Sequence, residues 1–497
     1  MADCREFYQR VEKFVFDCLD GYVPQKTGEK TIHDPIWGSV VYFAWEIEII
    51  DSPIFQRLRE IQQLGRADLT YPAARHTRFE HSLGTVAIAS RMIDNLRNRS
   101  VDYFVTDSDR NKVRLAALLH DIGHCFYSHL SERIYSKLPQ FSEIKKEIMK
   151  NLDIGVSPAP HEIFSYMIVK SRAFGDFFYN NVSYPGKGDE ESCFGLLAEC
   201  ANMIIGQNNK KEKNGKTEIY SFLTSVLNSD IDADKLDYTQ RDSYTAGLSL
   251  SYGVERFLMK IVLVCDETEK TKDYKLAIRD DGVTTVEELL FNRNMLYVYM
   301  YRHQKVLAVE AVIEDIISRM IDERRLLHPC DFLYLSEKEI EYKDMKSPLL
   351  QRAVTKLKRR EIPKRACVFS SEQLGGTEKI SAFTEKLNFA DYNEKICFRR
   401  LLCEKIREQY KNEGKTPPEF DEYDIYPVFP RITDTSAQFL VVSRDGGSPV
   451  INKFVYIKEW CRSFNLSNWR GYIFTDVKID RKIAADGLKN FFAGYMK

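Results

Sequence analysis

The sequence contains little of what marks several classes of protein. Only 24 of its 497 residues are Gly and 16 are Pro, and 44% are hydrophobic, which excludes a disordered, collagen-like or low-complexity chain. The eleven cysteines form no CxxC pair and are odd in number, which favours reduced thiols in a cytosolic compartment over a disulfide framework. No apolar run approaches the ~18 residues of a membrane span, and the N-terminus MADCREFYQRVEKF lacks the pattern of a signal peptide. We therefore expect a compact cytoplasmic protein without a membrane partner, although these observations do not exclude the nucleus.

Net charge is also nearly absent. The 72 Lys and Arg residues are balanced by 73 Asp and Glu, so the chain as a whole has no attraction to nucleic acid or to an anionic membrane. The basic run KLKRREIPKR (356–365) could bind nucleic acid or phosphate, or line a subunit interface. Its simplest explanation is the solvated face of a helix, because few aromatic residues interrupt it. Binding of nucleic acid therefore stays open.

The hydrophobic pattern predicts a mainly α protein with a smaller α+β C-terminal appendage. Apolar residues recur at helical spacing over residues 53–137 and 284–325, and one continuous helix is expected from Pro53 onward. Turn formers and charge predict exposed loops at 183–191 and 207–216. Strands are expected at 438–443, 453–457 and 471–477, and helices at 349–360 and 480–492. We divide the chain into an N-terminal helical extension (1–30), a helical core (31–329) and an α+β C-terminal region (330–497).

Histidine is scarce, and its distribution is uneven. Six of the nine histidines lie between His76 and His161. In LAALLHDIGH, the pair His120–Asp121 follows an apolar helix, yet an isolated His–Asp pair is as consistent with a core histidine as with a metal site. His81 and Asp234 would complete a mixed nitrogen and oxygen ligand set, which suits Mn, Fe, Zn, Ni or Mg.

Four segments together resemble a known enzyme family. They are HTRFEHSLG (76–84), LLHDIGHCFYSH (118–129), the pair His161–Glu162 and DADKLDYTQRD (232–242). Their order is similar to that of the motifs of HD-domain deoxynucleoside triphosphate triphosphohydrolases (dNTPases). The resemblance runs from about Thr31 to Val312 and is strongest to the animal enzymes that couple a sterile-alpha-motif domain to the HD domain, and looser to bacterial dGTP triphosphohydrolases. It implies an HD-domain helical core whose metal ligands are His81, His120, Asp121 and Asp234.

The resemblance also implies roles for further residues. Proton transfer falls to His124, Glu132 and His161, contact with the α-phosphate to His129, and binding of the triphosphate to Arg78, Lys235 and Arg293. The residues implied for the rest of the nucleotide are Gln63, Tyr238 and Asp242 near the sugar 3′-hydroxyl, Leu64 on the base and Tyr301 against the ribose 2′ carbon. A wall at that carbon would reject ribonucleotides. Glu132 stands where the animal enzymes have aspartate.

An upstream stretch resembles the activator site of the animal enzymes. Lys30, Asp51, Gln56 and Arg59 match positions that hold a guanine nucleotide between subunits, and a carboxylate with nearby cations suits guanine and phosphate. The alternative is a helix cap at Asp51 followed by exposed charges. Leu263 and Asp281 stand where the animal enzymes are basic, so a second activator nucleotide is not expected.

The resemblance therefore implies metal-dependent hydrolysis of dGTP or of several dNTPs to deoxynucleoside and tripolyphosphate. A GTP or dGTP activator, a second Mg bound with the triphosphate and a homo-oligomer (dimer or tetramer) that involves the C-terminal region are implied as well. Two alternatives stay open. One is an HD-type phosphodiesterase that acts on cyclic or single-stranded nucleotides, and the other is a nucleotide sensor without catalysis.

Overall fold

The computed structural model of the protein describes most of the chain. The described residues are 3–97, 103–152, 157–213, 215–342, 347–374, 377–432, 439–443, 450–452 and 455–495. In this part of the chain, no helix is both long and apolar enough to span a membrane.

The elements of the first half are named in chain order. They are α1 (Asp3–Leu19), β1 (Lys30–Asp34), β2 (Gly38–Tyr42), α2 (Ala44–Ile50), α3 (Pro53–Gln56), α4 (Arg78–Arg97), α5 (Asp107–Leu119), α6 (His129–Tyr135), α7 (Pro139–Asn151), α8 (Pro160–Val169), α9 (Arg172–Asn181), α10 (Glu190–Ile204), β3 (Lys210–Lys213), β4 (Lys216–Ile219), α11 (Ser221–Ser225) and α12 (Ala233–Ala246).

The second half begins with a short helix and a hairpin. Its elements are α13 (Val254–Leu258), β5 (Ile261–Glu267), β6 (Thr271–Arg279), α14 (Val283–Leu296), α15 (Gln304–Asp322), α16 (Glu337–Tyr342), α17 (Pro348–Lys358), β7 (Lys364–Ser370), α18 (Thr377–Phe389), α19 (Tyr392–Asn412), β8 (Ile425–Val428), β9 (Phe439–Val442), β10 (Val450–Asn452), α20 (Val455–Asn468), β11 (Arg470–Thr475) and α21 (Arg481–Tyr495).

A large helical core holds the molecule together. Helix α4 packs on α5 and α12, and its Val86, Ala89 and Ile93 are fully buried, as their spacing predicts. The N-terminal helix α1 packs on α7, α8 and α9, and its Phe7 contacts Phe141 of α7 and Phe164 of α8. A second, smaller apolar cluster lies in the C-terminal region and draws on α19, α21 and β11. The predicted mainly α fold with an α+β appendage is confirmed.

Strand β6 joins the two predicted regions. It pairs antiparallel with β5 and parallel with β4 and β9, while β3 and β10 extend the sheet at its two ends. Strands β7, β11 and β8 form a separate antiparallel sheet. Because β9 pairs with β6, the C-terminal region continues a sheet of the predicted core. The division between residues 329 and 330 stays a prediction.

Most predicted elements of the C-terminal region are present. The strands expected at 438–443 and 471–477 are β9 and β11, and the helices expected at 349–360 and 480–492 are α17 and α21. The strand expected at 453–457 is wrong, because residues 455–457 begin helix α20. A short run of β-branched and aromatic residues cannot distinguish a strand from a helix by its period. Residues 438, 453 and 454 lie outside the described part.

Two other predictions need correction. The loop predicted at 207–216 contains β3 and the first residue of β4, Lys216, because pairing of β3 with β4 and of β4 with β6 provides hydrogen bonds that the charged sequence does not reveal. The helix predicted from Pro53 onward ends at Gln56 and is followed by a 3₁₀ turn over Arg57–Glu60. Beyond it, Gln62 forms a β-bridge with Thr77, and this pairing replaces helical hydrogen bonds.

Candidate active site

The turn after α5 brings a histidine–aspartate pair against α8. Helix α5 ends just before His120 and Asp121. A Cβ on Gly123 would lie 2.3 Å from the backbone nitrogen of Ser165, so this close approach requires glycine. The Ser165 hydroxyl donates to the His120 carbonyl at 2.6 Å and accepts from the Gly123 N–H at 2.9 Å. The turn is therefore fixed against the helix that also carries His161.

The four predicted metal ligands lie together beside this turn. His81 comes from α4 and Asp234 from the first turn of α12. His81 Nε2 lies 2.9 Å from Asp234 Oδ1 and 3.6 Å from Asp121 Oδ2. His120 Nε2 lies 3.5 Å from Asp121 Oδ1 and 3.9 Å from Asp234 Oδ1. Three elements distant in sequence thus direct two imidazoles and two carboxylates to one point.

The hydrogen bonds of the two histidines suit a bound cation. His81 Nδ1 lies 2.7 Å from Asp237 Oδ2, and His120 Nδ1 lies 2.7 Å from the carbonyl oxygen three residues before it. Each Nδ1 therefore carries a hydrogen, and each Nε2 faces carboxylate oxygens. Burial opposes a charge on His81, but hydrogen bonds to Asp234 and Asp237 raise its pKa to about 10, so without a metal ion a proton on Nε2 lies between the ring and Asp234. A bound cation would take the place of that proton. Burial opposes ionisation of Asp121, yet the nearby His120 and other positive charges lower the pKa of its carboxyl group. The donors fit a divalent metal ion.

Asp237 holds His81 in this orientation. Trp37 Nε1 donates to Asp237 Oδ1 at 2.5 Å, and Arg241 donates to both oxygens of the same carboxylate at 2.8 Å. All of these side chains are buried. A Cβ on Gly84 would lie 2.0 Å from Asp237 Oδ1 and 2.1 Å from Arg241 Nη2. The absence of a side chain at position 84 therefore makes room for the network under His81.

A second cluster of three histidines and one glutamate adjoins the first. The rings of His124 and His161 stack with their centroids 4.0 Å apart. Glu132 Oε1 lies 2.8 Å from His161 Nδ1 and 3.1 Å from His124 Nδ1, and Oε2 lies 3.0 Å from His129 Nδ1. Burial and the charge of Arg78 lower the pKa of His124 to about 3. Burial opposes the charge on His161, but Glu132 raises its pKa to about 9. Two stacked imidazole rings, one with a lowered pKa and one with a raised pKa, are typical of an acid–base site.

The predicted triphosphate-binding cations border these clusters. Arg78 is buried, and its Nη1 donates to Asp121 Oδ2 at 2.8 Å. Lys235 pairs with Asp232 at 2.7 Å and lies close enough to Arg293 for the two charges to interact. Within the described chain, the buried Nε of Arg293 has no hydrogen-bond partner. The side chain of His129 is 59% exposed and so is open to a ligand.

The residues predicted for the sugar also lie together. His76 Nε2 lies 2.7 Å from Asp242 Oδ1, and the Tyr301 hydroxyl donates to Asp242 Oδ2 at 2.5 Å. The Gln63 N–H donates to the His76 carbonyl at 3.0 Å. Its side-chain Oε1 is buried without a hydrogen-bond partner among the described residues. Tyr238 lies near Tyr301, since the two hydroxyls interact electrostatically.

The upstream residues form a polar group on the surface. Lys30 Nζ lies 3.1 Å from Asp51 Oδ2, and both side chains are about half exposed. Arg59 Nε donates to Gln56 Oε1 at 2.8 Å, and Gln56 Nε2 donates to the carbonyl of Ile50 at 2.7 Å. The four residues predicted for the activator are therefore neighbours, and Leu64, predicted for the base, lies partly buried beyond the 3₁₀ turn.

Sequence reasoning assigned no role to three residues that support the site. His76 and Asp237 lie inside the motifs HTRFEHSLG and DADKLDYTQRD, and a titratable side chain inside such a motif could have identified each of them as a residue of the site. Arg57 had no such signal. It donates to the carbonyl oxygens of Ile122 at 2.6 Å and His124 at 2.8 Å, and so attaches the upstream segment to the turn after α5.

Comparison with known proteins identifies two family regions. Residues 78–178 match the HD domain, and residues 264–399 match the HD associated region. An uncharacterised protein of Methanocaldococcus jannaschii is 30% identical over 297 residues, which cover 60% of this chain and 51% of that protein. The deoxynucleoside triphosphate triphosphohydrolase SAMHD1 of Bos taurus is 29% identical over 299 residues, which cover 59% of this chain and 48% of that protein. The chain thus spans about half the length of these relatives.

Longer matches exist at lower identity. The SAMHD1 homolog of Dictyostelium discoideum is 23% identical over 450 residues, which cover 88% of this chain and 78% of that protein. The crystal structure of a hypothetical protein from Aquifex aeolicus superposes with a TM-score of 0.61 at 20% identity, covering 93% of this chain and all of that one, and shows the fold alone. The chain thus contains a region that matches the HD domain, has a mainly α fold, and is similar to the HD-domain deoxynucleoside triphosphate triphosphohydrolases.

Proposed function

We propose that the protein is a metal-dependent hydrolase that cleaves deoxynucleoside triphosphates, dGTP or several dNTPs, to deoxynucleoside and tripolyphosphate. The observation that carries this proposal is the convergence of two histidine Nε2 atoms and two carboxylates next to the cluster of His124, His161 and Glu132. A site that only binds nucleotides needs no such cluster.

The metal ligands are His81, His120, Asp121 and Asp234. A divalent ion held there (Mn, Fe, Zn, Ni or Mg) lowers the pKa of water and polarises a phosphate oxygen. A second Mg would accompany the triphosphate. The short contact between His81 Nε2 and Asp234 Oδ1 at 2.9 Å supports this ligand set.

Proton transfer is the role of the histidine–glutamate cluster. Glu132 keeps His161 charged and fixes its Nδ1, so the opposite nitrogen of the ring can donate a proton to the leaving oxygen. His124, with its lowered pKa, stays neutral beside it. His129 is exposed enough to contact the α-phosphate.

The remaining residues hold the nucleotide. Arg78, Lys235 and Arg293 neutralise phosphate oxygens. The unpaired Gln63 Oε1 can accept a hydrogen bond from a sugar hydroxyl, and Asp242 fixes the Tyr301 hydroxyl against the pocket. An added ribose hydroxyl would be buried there without a partner, which disfavours ribonucleotides. Tyr238 and Leu64 complete the proposed sugar and base contacts.

Regulation by GTP or dGTP is part of the same proposal. The group of Lys30, Asp51, Gln56 and Arg59 would hold the guanine nucleotide, and a partner copy of the chain covering this group would form a dimer or tetramer. The proximity of a carboxylate, an amide and two cations on one surface supports this assignment.

The decisive experiment incubates metal-loaded protein with the four dNTPs and the four NTPs and separates the products by anion exchange. We expect tripolyphosphate and deoxynucleoside from dNTPs, and much slower cleavage of NTPs. His120→Ala and Asp121→Ala should lose bound metal and turnover together, whereas Asp176→Ala, which removes a half-exposed carboxylate on α9, should keep both.

Four results would contradict this proposal. Release of dNDP or pyrophosphate as the first product would mean that the α-phosphorus is not attacked. Cleavage of cyclic or single-stranded nucleotides alone would indicate a phosphodiesterase, and tight dNTP binding without turnover would indicate a sensor. Full metal occupancy in His120→Ala and Asp121→Ala would contradict the ligand assignment.

A further inference from the structure

A buried carboxylate from outside the HD domain contacts two loops of the proposed active site. Glu337 is the first residue of α16, within the HD associated region, and it is buried. Its Oε1 accepts the backbone N–H of Gln62 and that of Tyr127, both at 3.1 Å. These two residues are 65 positions apart in sequence, and one oxygen atom joins them.

Each of the two loops continues into proposed site residues. Gln62 directly precedes Gln63 and Leu64. Tyr127 lies two residues before His129, and it adopts a left-handed backbone with φ 52°, as does the residue that follows it. Such a conformation is unfavourable for a residue with a side chain and persists only where its surroundings hold it.

A second carboxylate, one helical turn later, acts on the same two loops. Glu341 accepts the Tyr127 hydroxyl at 3.0 Å and pairs with Arg66, which lies on the Gln62 loop. Arg66 Nε also donates to Asp68 at 3.0 Å. The pair of Glu337 and Glu341, spaced i and i+4, therefore lies along one face of α16 and contacts both loops.

The position of Glu337 is electrostatically unfavourable. Burial raises its pKa to about 8, and the hydrogen bonds that oppose this come from neutral backbone groups. Of the neighbouring charges, that of Glu341 raises the pKa of Glu337 and that of Arg66 lowers it. A buried acid whose pKa is raised in this way adds little to stability through its charge, so the two hydrogen bonds that it accepts from the loops are the contacts that need an explanation.

We propose that Glu337 is a positioning residue that holds the loop of Gln63 and Leu64 at a fixed separation from the turn of His129 and Glu132. The first loop is assigned to the sugar and base, and the second to the phosphate and the proton. We call the two hydrogen bonds that Glu337 accepts from Gln62 and Tyr127 the clamp. The clamp sets the distance between the two ends of a bound nucleotide. Through it, the HD associated region contributes to the geometry of the HD domain. This inference rests on the proposed function and deepens it.

The test uses the full-length, metal-loaded protein and the variants Glu337→Ala, Glu337→Asp and Glu337→Gln. Hydrogen exchange reports on peptides that contain Gln62 and Tyr127, and steady-state kinetics report on dNTP hydrolysis. Lys338→Ala is the control on the same helix, because Lys338 makes an exposed ion pair with Glu60.

Glu337→Ala should raise the exchange of both amides by at least about tenfold. It should lower kcat by roughly 10- to 100-fold, with a smaller change in KM and unchanged metal content, because misplacement by about 1 Å can cost 10²-fold. Glu337→Asp, whose shorter side chain cannot reach both N–H groups, should behave in the same way even if the alanine variant folds poorly. Glu337→Gln should recover most of the rate, since its amide oxygen can accept the same two hydrogen bonds.

Several results would overturn the clamp. Unchanged exchange at both amides in Glu337→Ala or Glu337→Asp would mean that the carboxylate does not hold the loops. Faster exchange with wild-type kinetics would leave Glu337 with a structural role alone. Glu337→Gln as impaired as Glu337→Ala would mean that charge, and not hydrogen-bond acceptance, is required. If the wild type does not hydrolyse dNTPs, the proposed function fails, and the exchange measurements still decide whether the clamp exists.

Discussion

The residues beneath His81 decide how that ligand faces the metal site. Asp237 accepts the Nδ1 hydrogen, Trp37 and Arg241 fix the carboxylate, and Gly84 provides the space. A hydrogen-bonded carboxylate makes the imidazole a better ligand and prevents rotation of its ring. The metal affinity of the site therefore depends on residues that would not touch the ion.

Asp237→Asn is expected to raise the dissociation constant for the metal by roughly 10- to 100-fold. The amide is a weaker acceptor for His81 and removes a charge that supports it. Metal affinity would be measured by competition with a chelating dye. Asp34→Asn is the matched control, because Asp34 pairs with the same Arg241 at 2.8 Å but His81 bonds to Asp237 instead. Equal affinities in the two variants would contradict the role of Asp237.

Gly84→Ala should destabilise the protein by about 1–3 kcal/mol, the usual cost of overpacking. Its Cβ would lie 2.0 Å from Asp237 Oδ1, so the buried network would have to move. Gly195→Ala offers a control of opposite sign, because Gly195 is exposed on α10 and a Cβ there meets nothing within 4 Å. The free energy of unfolding of that variant should be higher than that of the wild type by up to ~1 kcal/mol. Urea denaturation of both variants measures the difference, and a stable Gly84→Ala protein would contradict the packing argument.

The types of residue at the site were predictable from sequence, but their supports were not. The pair His120–Asp121 at the end of an apolar helix is by itself as consistent with a core histidine as with a metal site, and the ligand set was predicted from the order of four motifs that resemble one enzyme family. Arg57 and Glu337 gave no local signal, since their partners lie 65 or more positions away in sequence. Only the folded chain brings such partners together.

At the scale of elements, the correct predictions are those with a long and regular period. Helices α4 and α5 follow an apolar stripe that their burial confirms. The segment after Pro53 fails because its backbone pairs with the residues before α4, and this tertiary pairing outweighs local helix preference. The hairpin of β3 and β4 was predicted as a loop for the same reason. Its charged strands form because β4 pairs with β6, and a local pattern cannot reveal that pairing.

Glu337 on helix α16 should make the stability of the protein depend on pH. The pKa of Glu337 is raised from 4.5 to about 8 by burial, so the folded state binds this proton more tightly than the unfolded state. The stabilisation that comes from binding this proton is complete below pH 4.5, and it is lost as the pH rises from 4.5 to about 8. Glu337→Gln lacks this proton, so its stability relative to the wild type should increase across that window. Denaturant unfolding at several pH values checks this, and a pH-independent difference would contradict it.

At the scale of the whole molecule, the sheet around β6 links the predicted core to the C-terminal region, and Glu337 of the HD associated region contacts the loops of Gln62 and Tyr127. Strands β9 and β10 extend a sheet that begins in the predicted core, and Glu337 reaches back to two site loops. Sequence patterns placed the C-terminal strands approximately but contained no information about their partners. For this reason the boundary between the predicted domains could not be derived from composition.

Binding of GTP or dGTP at the upstream group should promote assembly and raise the rate of dNTP hydrolysis. The continuous helix expected to link this group to Gln63 is broken after Gln56, so a different connection is required. Arg57 supplies one, because it lies within the upstream segment and donates to the carbonyl oxygens of Ile122 and His124. A coupling of ~1–3 kcal/mol would correspond to roughly a 5- to 150-fold effect.

Asp51→Ala should abolish the response to GTP and leave metal binding intact, because the carboxylate faces Lys30 on the surface and lies in a different segment from the proposed ligands. Glu29→Ala removes a neighbouring exposed carboxylate and should respond like the wild type. Sedimentation and initial rates across a GTP titration measure both effects. An unchanged oligomer and an unchanged rate in the wild type would reduce Lys30, Asp51, Gln56 and Arg59 to a surface network, whose remaining role would be to orient the segment that carries Arg57 into the turn after α5.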